Sequence, residues 1–332
     1  MRIAINGFGR IGRAVYRILA DREDMDVVAI NDIAEPSTLA YLLKYDTVMG
    51  RFKGEVSVEG SLLRAGAQET KIFAIPDPAA LPWKELEVDF VVESTGRFRK
   101  REQLEAHLEA GARRVVLTVP SKDEIDNTIV LGVNEASLKP EHRIVSNASC
   151  TTNCLAPVAK VLDETFGIVK GIMTTVHAYT NDQRLADVPH SDFRRARAAA
   201  ENIIPTTTGA AKAVGKVLPN LKGKLDGVAM RVPVPDGSIV DLVTIMARPV
   251  TVAEVNAAIR SAAASQLYKV LEYTEDPIVS SDVIGNAHSA IFDARSTRVI
   301  GGTFLKTLTW YDNEWGYSCR VVDLLDLMAK QG

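Results

Sequence analysis

Ser149-Cys150-Thr151-Thr152-Asn153-Cys154 follows a short strand-like run, Arg143 to Ser146, and opens a segment of helical character reaching about Phe166. Ser149 is an N-cap residue type, so Cys150 falls in the first turn. A thiol there feels unpaired N–H groups and the positive end of the helix dipole. Both favour the thiolate, the form that attacks carbonyl carbon. The same position suits a small buried apolar residue, as most free cysteines are, and the stretch alone leaves both readings open. His177 ends a β-branched run that begins at Lys170. It is either a base for such a thiol or a satisfied core histidine. Cys154 lies four residues from Cys150, on nearly the same helix face, and either traps an oxidised Cys150 or fills space. Pro157, well inside the segment, should kink the helix or end it locally.

A second set of residues has the spacing of an anion cradle. Gly7-Phe8-Gly9-Arg10-Ile11-Gly12 stands between a strand-like run, Arg2 to Asn6, and a helical segment, Arg13 to Ala20. Another strand, Val27 to Ile30, ends at Asn31-Asp32. In that context Gly7 permits a tight turn, Gly9 lets backbone approach a pyrophosphate, and Gly12 lets the helix pack on the sheet. Free N–H groups of the helix receive the phosphate charge. Asp32 accepts from ribose hydroxyls and repels a 2′-phosphate, which favours NAD over NADP. Thr206-Thr207-Thr208-Gly209 precedes a helix, Ala210 to Val217, and forms another such start. The aperiodic stretch Ala178 to Ala200 holds Arg184, Arg194, Arg195 and Arg197, which serve either function or a solvated surface.

These residues need a frame. Strands at Asp89–Glu93, Val115–Thr118, Thr128–Val133 and Arg143–Ser146, with a helix at Lys100–Ala110, extend the first pattern into an α/β Rossmann-type unit with a parallel sheet. Ligands of such sheets sit beyond the carboxyl ends of the strands, where Gly7, Asp32, Thr95, Gly96 and Thr118 fall. Extra strands are expected between Val48 and Asp77. After Phe166 come long strands at Lys170–His177, Leu225–Val234, Ser238–Arg248, Ser289–Asp293 and Thr303–Trp310. They imply an α+β domain with a mostly antiparallel sheet and helices on one face. Pro235-Asp236-Gly237 reads as a hairpin turn between two of them, and Thr251-Val252-Ala253-Glu254 as a capping box opening a helix to about Ser265. A last helix, Gly316 to Lys330, returns to the first unit. The expected domains are therefore 1–149 with 314–332, binding NAD, and 150–313, carrying catalysis.

Composition narrows the function classes. A chain of 332 residues favours two domains. With 46% apolar and 24% charged residues it reads as an ordinary globular protein. The net charge of −3 makes no case for nucleic acid or an anionic membrane. Three cysteines without metal-ligand spacing suit a reducing cytoplasm and no metal site. No apolar run spans a bilayer, and the N-terminus reads as strand rather than signal peptide.

The chain resembles phosphorylating glyceraldehyde-3-phosphate dehydrogenases of the NAD-dependent type along essentially its whole length. The resemblance rests on Ile5 to Arg13, Leu42 to Asp46, Ser146 to Asn153, His177 to Gln183, Pro205 to Lys212 and Trp310 to Glu314. It implies Cys150 as nucleophile and His177 as its base. It implies Ser149, Thr151, Thr180, Arg195, Thr208, Gly209 and Arg231 around the substrate phosphate and inorganic phosphate. Arg10, Ile11, Asp32, Thr118 and Asn313 match cofactor contacts. Arg231 lies in an otherwise apolar strand, where an arginine needs an anionic partner. The implied reaction converts glyceraldehyde 3-phosphate, NAD and phosphate to 1,3-bisphosphoglycerate through a Cys150 hemithioacetal and thioester, in glycolysis or gluconeogenesis. The implied assembly is a homotetramer. Thr118-Val119 departs from the Ser-Ala usual before this proline, and Val188-Pro189 from Leu-Pro. Two alternatives are carried: an erythrose-4-phosphate dehydrogenase, and a catalytically silent NAD-binding scaffold.

Overall fold

The computed structural model describes residues 1–331, which form two compact units. The first comprises Met1–Ile129, Ala136–Ser149 and the chain from Ser318 onward; the second comprises Val130–Glu135 and Cys150–Tyr317.

In the first unit, β1 (Arg2–Asn6) leads into α1 (Arg10–Ala20), β2 (Asp26–Asn31) and α2 (Pro36–Lys44). The short pair β3 (Tyr45–Asp46) and β4 (Gly50–Arg51) follows, then β5 (Val56–Glu59), β6 (Leu62–Ala65) and β7 (Gln68–Phe73). Next come β8 (Phe90–Glu93), α3 (Arg101–Glu109), β9 (Arg114–Leu117), β10 (Asn127–Thr128) and β11 (Ile144–Ser146). The nine-stranded sheet runs β10-β11-β9-β8-β1-β2-β7-β6-β5. It is parallel from β10 to β7 and turns antiparallel only through β6 and β5. The segment between Val48 and Asp77 thus extends this sheet rather than forming a separate layer. Parallel strands are buried on both faces, and β8 and β9 are buried throughout. Trp83, Val91, Leu104, Val115 and Ile144 are among the residues that fill the core beside them.

The strand expected from Thr128 to Val133 stops at Thr128. Gly132, at φ +80°, carries the chain into a turn in which the N–H groups of Val133 and Asn134 both donate to Val130 O. A left-handed glycine cannot continue a ladder without breaking it.

At the carboxyl ends of β1, β2 and β8 lies a buried polar network that the sequence pattern did not announce. Asn31 Nδ2 donates to Asn6 Oδ1 at 2.7 Å, and Asn6 Nδ2 to Glu93 Oε2 at 2.6 Å. Trp83 Nε1 donates to His107 Nδ1 at 3.1 Å, which leaves His107 Nε2 to donate to Glu93 Oε2, also at 3.1 Å. The other oxygen of Glu93 accepts from Thr95 N at 2.9 Å and Thr95 Oγ1 at 2.5 Å. A fully partnered network of this kind rigidifies the strand ends.

In the second unit, α4 (Cys150–Phe166) precedes β12 (Ile168–Ala178), β13 (Ile204–Thr207) and α5 (Ala210–Val217). Then come β14 (Leu225–Val232), β15 (Ser238–Met246), α6 (Val252–Ala263), β16 (Leu271–Thr274), β17 (Ala290–Ile300) and β18 (Phe304–Tyr311). Helix α7 (Trp315–Ala329) begins here and runs on into the first unit. The order is β13-β14-β12-β15-β18-β17-β16, antiparallel except for β14–β12 and β17–β16. The hairpin expected around Pro235-Asp236-Gly237 does not form, because β12 lies between β14 and β15. Two strand spacings amount to about 10 Å, a gap that residues 233–237 span easily.

Helices α4, α5 and α6 pack on one face of this sheet. Helix α4 runs unbroken through Pro157, against the expected kink. Pro157 lacks the N–H for one ladder bond, but Thr151 to Ala159 are all buried, so packing on every side holds the helix axis. Thr251 and Glu254 form the expected capping box at α6.

Candidate active site

In the first unit, Gly7 has φ +92°, and a Cβ there would stand 2.6 Å from Thr95 N. A Cβ on Gly12 would stand 2.2 Å from Gly7 O, so α1 rests directly on the glycine turn. Gly9 differs: a Cβ there meets nothing within 4 Å. As N-cap of α1 it also has no side chain to occupy the helix's free N–H groups. The cradle is therefore open where a pyrophosphate must approach, and the residues present fit NAD. Asp32, at the end of β2, accepts from Phe8 N at 2.8 Å through Oδ2 and from Ala34 N at 3.0 Å through Oδ1. Each oxygen keeps a lone pair for a ribose hydroxyl, and the carboxylate also braces the glycine turn from below.

Arg10 and Ile11 occupy the first turn of α1, and the Arg10 side chain is ion-paired with Asp46. Thr95 has its hydroxyl engaged with Glu93, and Gly96 follows at φ +68°. Thr118 donates its hydroxyl to Glu93 O at 3.1 Å, which leaves that oxygen as an acceptor only.

In the second unit, Cys150 is the first residue of α4 and follows Ser149 directly. Ala148, two residues earlier and buried, has φ +56°. A left-handed alanine stores about 1–2 kcal/mol of backbone strain, here spent on the sharp entry into α4. Cys150 Sγ lies 3.5 Å from His177 Nε2. His177 Nδ1 lies 2.7 Å from Ala178 O and also faces Arg231 Nη1; in the tautomer that donates to Ala178 O, Nε2 is basic toward the sulfur. The ring packs edge-on against Tyr311, whose hydroxyl bridges Thr151 Oγ1 at 2.8 Å and Thr175 Oγ1 at 2.9 Å.

Parallel pairing of β12 with β14 sets Arg231 beside His177. Arg231 Nη1 packs against His177 Nδ1 and donates to Ala178 O at 3.0 Å, while Arg231 Nε is buried without a partner. No carboxylate pairs with this guanidinium among the described residues, so its charge is available to an anionic group.

Burial pushes the Cys150 thiol up, and Arg231 together with the Thr151 hydroxyl and N–H pulls it back. Burial first, then Arg231, lowers His177 to about 3. Taking a proton from solvent and losing one to solvent are both resisted. Both shifts favour the uncharged pair, with the proton on Sγ and Nε2 free to receive it.

Thr208 accepts from Ala210 N at 3.2 Å, and Gly209 is the N-cap of α5, with open space where a Cβ would be. Thr152 Oγ1 reaches Ala210 O at 3.5 Å, which sets the start of α5 against the first turn of α4. Thr180 and Arg195 stand in a separate group. The Thr180 hydroxyl and the Arg195 guanidinium both bind Asp182, and Arg195 Nε donates to Thr206 Oγ1 at 2.9 Å. Arg195 is therefore held in place by Asp182 and Thr206, with Nη2 left for an anion. Cys154 points elsewhere: its thiol reaches Thr309 O at 3.7 Å, and it is fully buried. Asn313, two residues beyond β18, accepts from Ser238 Oγ through Oδ1 at 2.6 Å.

The NAD-binding domain model of glyceraldehyde 3-phosphate dehydrogenase matches residues 1–101, and its C-terminal domain model matches 149–313. Curated relatives agree along the whole chain. Glyceraldehyde-3-phosphate dehydrogenase of Thermotoga maritima is 60% identical over 331 residues, covering 99% of both chains. That of Geobacillus stearothermophilus is 58% identical, and glyceraldehyde-3-phosphate dehydrogenase 2 of Streptomyces avermitilis 57%, each covering 100% of this chain and 99% of the relative. The chain belongs to the glyceraldehyde-3-phosphate dehydrogenase family. Within this member, sequence reasoning missed Ala148, Glu93, Ser238 and Tyr311. Tyr311 lies in the Trp310 to Glu314 stretch, but nothing local marks its hydroxyl as a bridge. Ala148 carries no residue-type signal for a positive φ at all.

Proposed function

We propose that the protein oxidises glyceraldehyde 3-phosphate with NAD and inorganic phosphate to 1,3-bisphosphoglycerate. One observation carries this reading: a cysteine at a helix start, 3.5 Å from a histidine whose neighbour is an arginine with an unmet buried donor. Residues 1–149 with 314–332 hold NAD, and residues 150–313 carry the chemistry. Gly7, Gly9, Gly12 and the N–H groups of Arg10 and Ile11 receive the pyrophosphate; Asp32 takes the ribose; Thr95, Gly96, Thr118 and Asn313 complete the contacts. NAD, when bound, takes up the hydride.

His177 Nε2 receives the thiol proton as Cys150 Sγ attacks the aldehyde carbon. The resulting oxyanion faces the Cys150 N–H and protonated His177, which returns the proton to it. As the hydride leaves carbon, His177 Nε2 withdraws the hydroxyl proton and a Cys150 thioester remains. Ser149, Thr151, Thr180, Arg195, Thr208, Gly209 and Arg231 hold the substrate phosphate and inorganic phosphate; the latter attacks the thioester carbonyl, and the sulfur departs as thiolate.

The protein assembles as a homotetramer. The sheet face opposite α4–α6 carries Ile172, Val176, Val228, Met230, Ile239 and Val243, half-exposed or exposed, and Trp310 Nε1 on that face has no partner among the described residues. An apolar face of this kind asks for a cover. No helix among the described residues is long and apolar enough to cross a membrane. Three free cysteines suit the cytoplasm.

The test is initial rates with glyceraldehyde 3-phosphate and erythrose 4-phosphate side by side, with NAD or NADP, with and without phosphate. Phosphate-dependent NADH formation preferring the triose phosphate is expected. Preference for erythrose 4-phosphate overturns the substrate assignment, and an inert thiol with no oxidation of either sugar overturns the enzyme. Light scattering that returns a monomer overturns the tetramer.

A further inference from the structure

We propose that Ser238 is a positioning residue that decides which end of the Asn313 amide meets the cofactor. The proposal rests on the reading of Asn313 as a cofactor contact. An amide side chain can present either its oxygen or its nitrogen, and only its hydrogen-bond network fixes the choice. Here the network starts from a group with no choice. Ala178 N–H can only donate, and it donates to Ser238 Oγ at 3.1 Å. Ser238 is fully buried, so its own hydroxyl proton must find an acceptor. The atom available is Asn313 Oδ1, 2.6 Å away, a separation typical of O–H···O and shorter than N–H···O contacts usually are.

Oδ1 is thereby engaged from inside the protein. Nδ2, with no hydrogen bond to any described residue, is left as a donor. Asn313 can then serve only a ligand group that accepts, a carbonyl oxygen in place of an amino group. Ala178 has a second duty, since its carbonyl receives His177 Nδ1 at 2.7 Å. One residue of β12 therefore orients the base through its oxygen and the amide of Asn313 through its N–H and Ser238.

The test compares equilibrium binding of NAD with that of its 3-acetylpyridine analogue, which keeps the carbonyl oxygen and lacks the amino group. Dissociation constants are measured by calorimetry on the wild type, Ser238→Ala, Ser238→Thr and Asn313→Asp. In the wild type a donor at Asn313 serves both ligands. In Ser238→Ala the amide is free to reverse and accept from the carboxamide amino group, which only NAD offers. NAD finds a partner in either orientation and the analogue in one of the two, so the ratio of analogue to NAD dissociation constants should rise about twofold, while Ser238→Thr keeps the wild-type ratio. Asn313→Asp presents acceptors only and should raise the ratio as well. A general loosening of the site weakens both ligands equally, so an unchanged ratio in Ser238→Ala with a raised ratio in Asn313→Asp overturns the role of Ser238 alone. If Asn313→Asp leaves both constants unchanged, the reading of Asn313 falls and the proposal with it.

Discussion

Gly9 and Gly12 are three residues apart in one motif, yet the structure assigns their substitutions opposite outcomes. In Gly12→Ala the new Cβ would sit 2.2 Å from Gly7 O, a backbone atom that no rotamer can move. Relief requires α1 to shift by about 1 Å, and overpacking of this kind costs about 1–3 kcal/mol. For a chain of this size that lowers the apo melting temperature by several degrees. In Gly9→Ala the Cβ meets nothing within 4 Å, and φ −74° with ψ −157° is extended backbone an alanine can adopt. Its poorer N-capping is offset by the lower entropy of the unfolded chain, each on the order of 0.5–1 kcal/mol. Apo stability should therefore hold within about 2 °C. The methyl instead enters the space a pyrophosphate needs and separates it from backbone donors. Losing one or two charge-assisted hydrogen bonds of about 1.5–3 kcal/mol each weakens NAD at least tenfold and up to several hundredfold. Differential scanning fluorimetry of the apo proteins and calorimetric titration with NAD make the comparison. A Gly9→Ala protein that binds NAD like the wild type, or that melts as early as Gly12→Ala, would refute the assignment of that open space to the cofactor.

Iodoacetamide modification of Cys150 should run at a nearly constant rate from about pH 5 to 8, because the Cys150–His177 pair neither gains nor loses a proton there, and should climb above the ordinary thiol range; in His177→Asn the plateau disappears and only the alkaline rise remains. A wild-type rate that follows a single titration centred below pH 8 would refute the uncharged pair. Asp236 is pushed up to about 9 by burial and by the facing charges of Asp312 and Glu314. An acid with a raised folded pKa stabilises below its unfolded value of about 4 and loses that contribution as pH climbs toward the folded value. Asp236→Asn, which needs no proton, should accordingly gain on the order of 2 kcal/mol at pH 8 and little at pH 4 to 5 in denaturant titrations; equal gains at both pH values would count against a raised pKa at Asp236. Arg231→Ala should cut kcat/KM for the phosphorylated aldehyde at least a hundredfold, about 2.7 kcal/mol, and an effect below threefold would remove Arg231 from the anion site. Ile172→Glu, on the open sheet face, should reduce the assembly state in light scattering without lowering the helical signal; an intact tetramer would place the interface elsewhere.

Much of the first unit was legible in order along the chain. The glycine turn, the end of β2 at Asp32 and the start of α4 at Cys150 are each specified by residues within a few positions of one another, through φ, N-capping and the approach of backbone to anion. The capping box of α6 and the extent of α5 were readable for the same reason. Pro157 shows where a local rule gave way, since burial around α4 held a helix that the chain alone would have bent.

The sequence by itself determined which chemistry was present: a thiol at a helix start, a histidine at a strand end, an open glycine cradle with an acid beyond it. Only the tertiary structure decided how these groups are wired. β12 separates the apparent hairpin partners β14 and β15, because ladder hydrogen bonds run between backbones and carry little side-chain information about which strand is the neighbour. That insertion puts Arg231 beside His177, which neither strand's sequence encodes. The engagement of Arg195 by Asp182, the orientation of Asn313 through Ser238 and the raised pKa of Asp236 depend likewise on burial and on partners distant along the chain. Residue types set what a group can do, and the dielectric and the hydrogen bonds around it, which exist only once the chain has closed on itself, set which of those things it does.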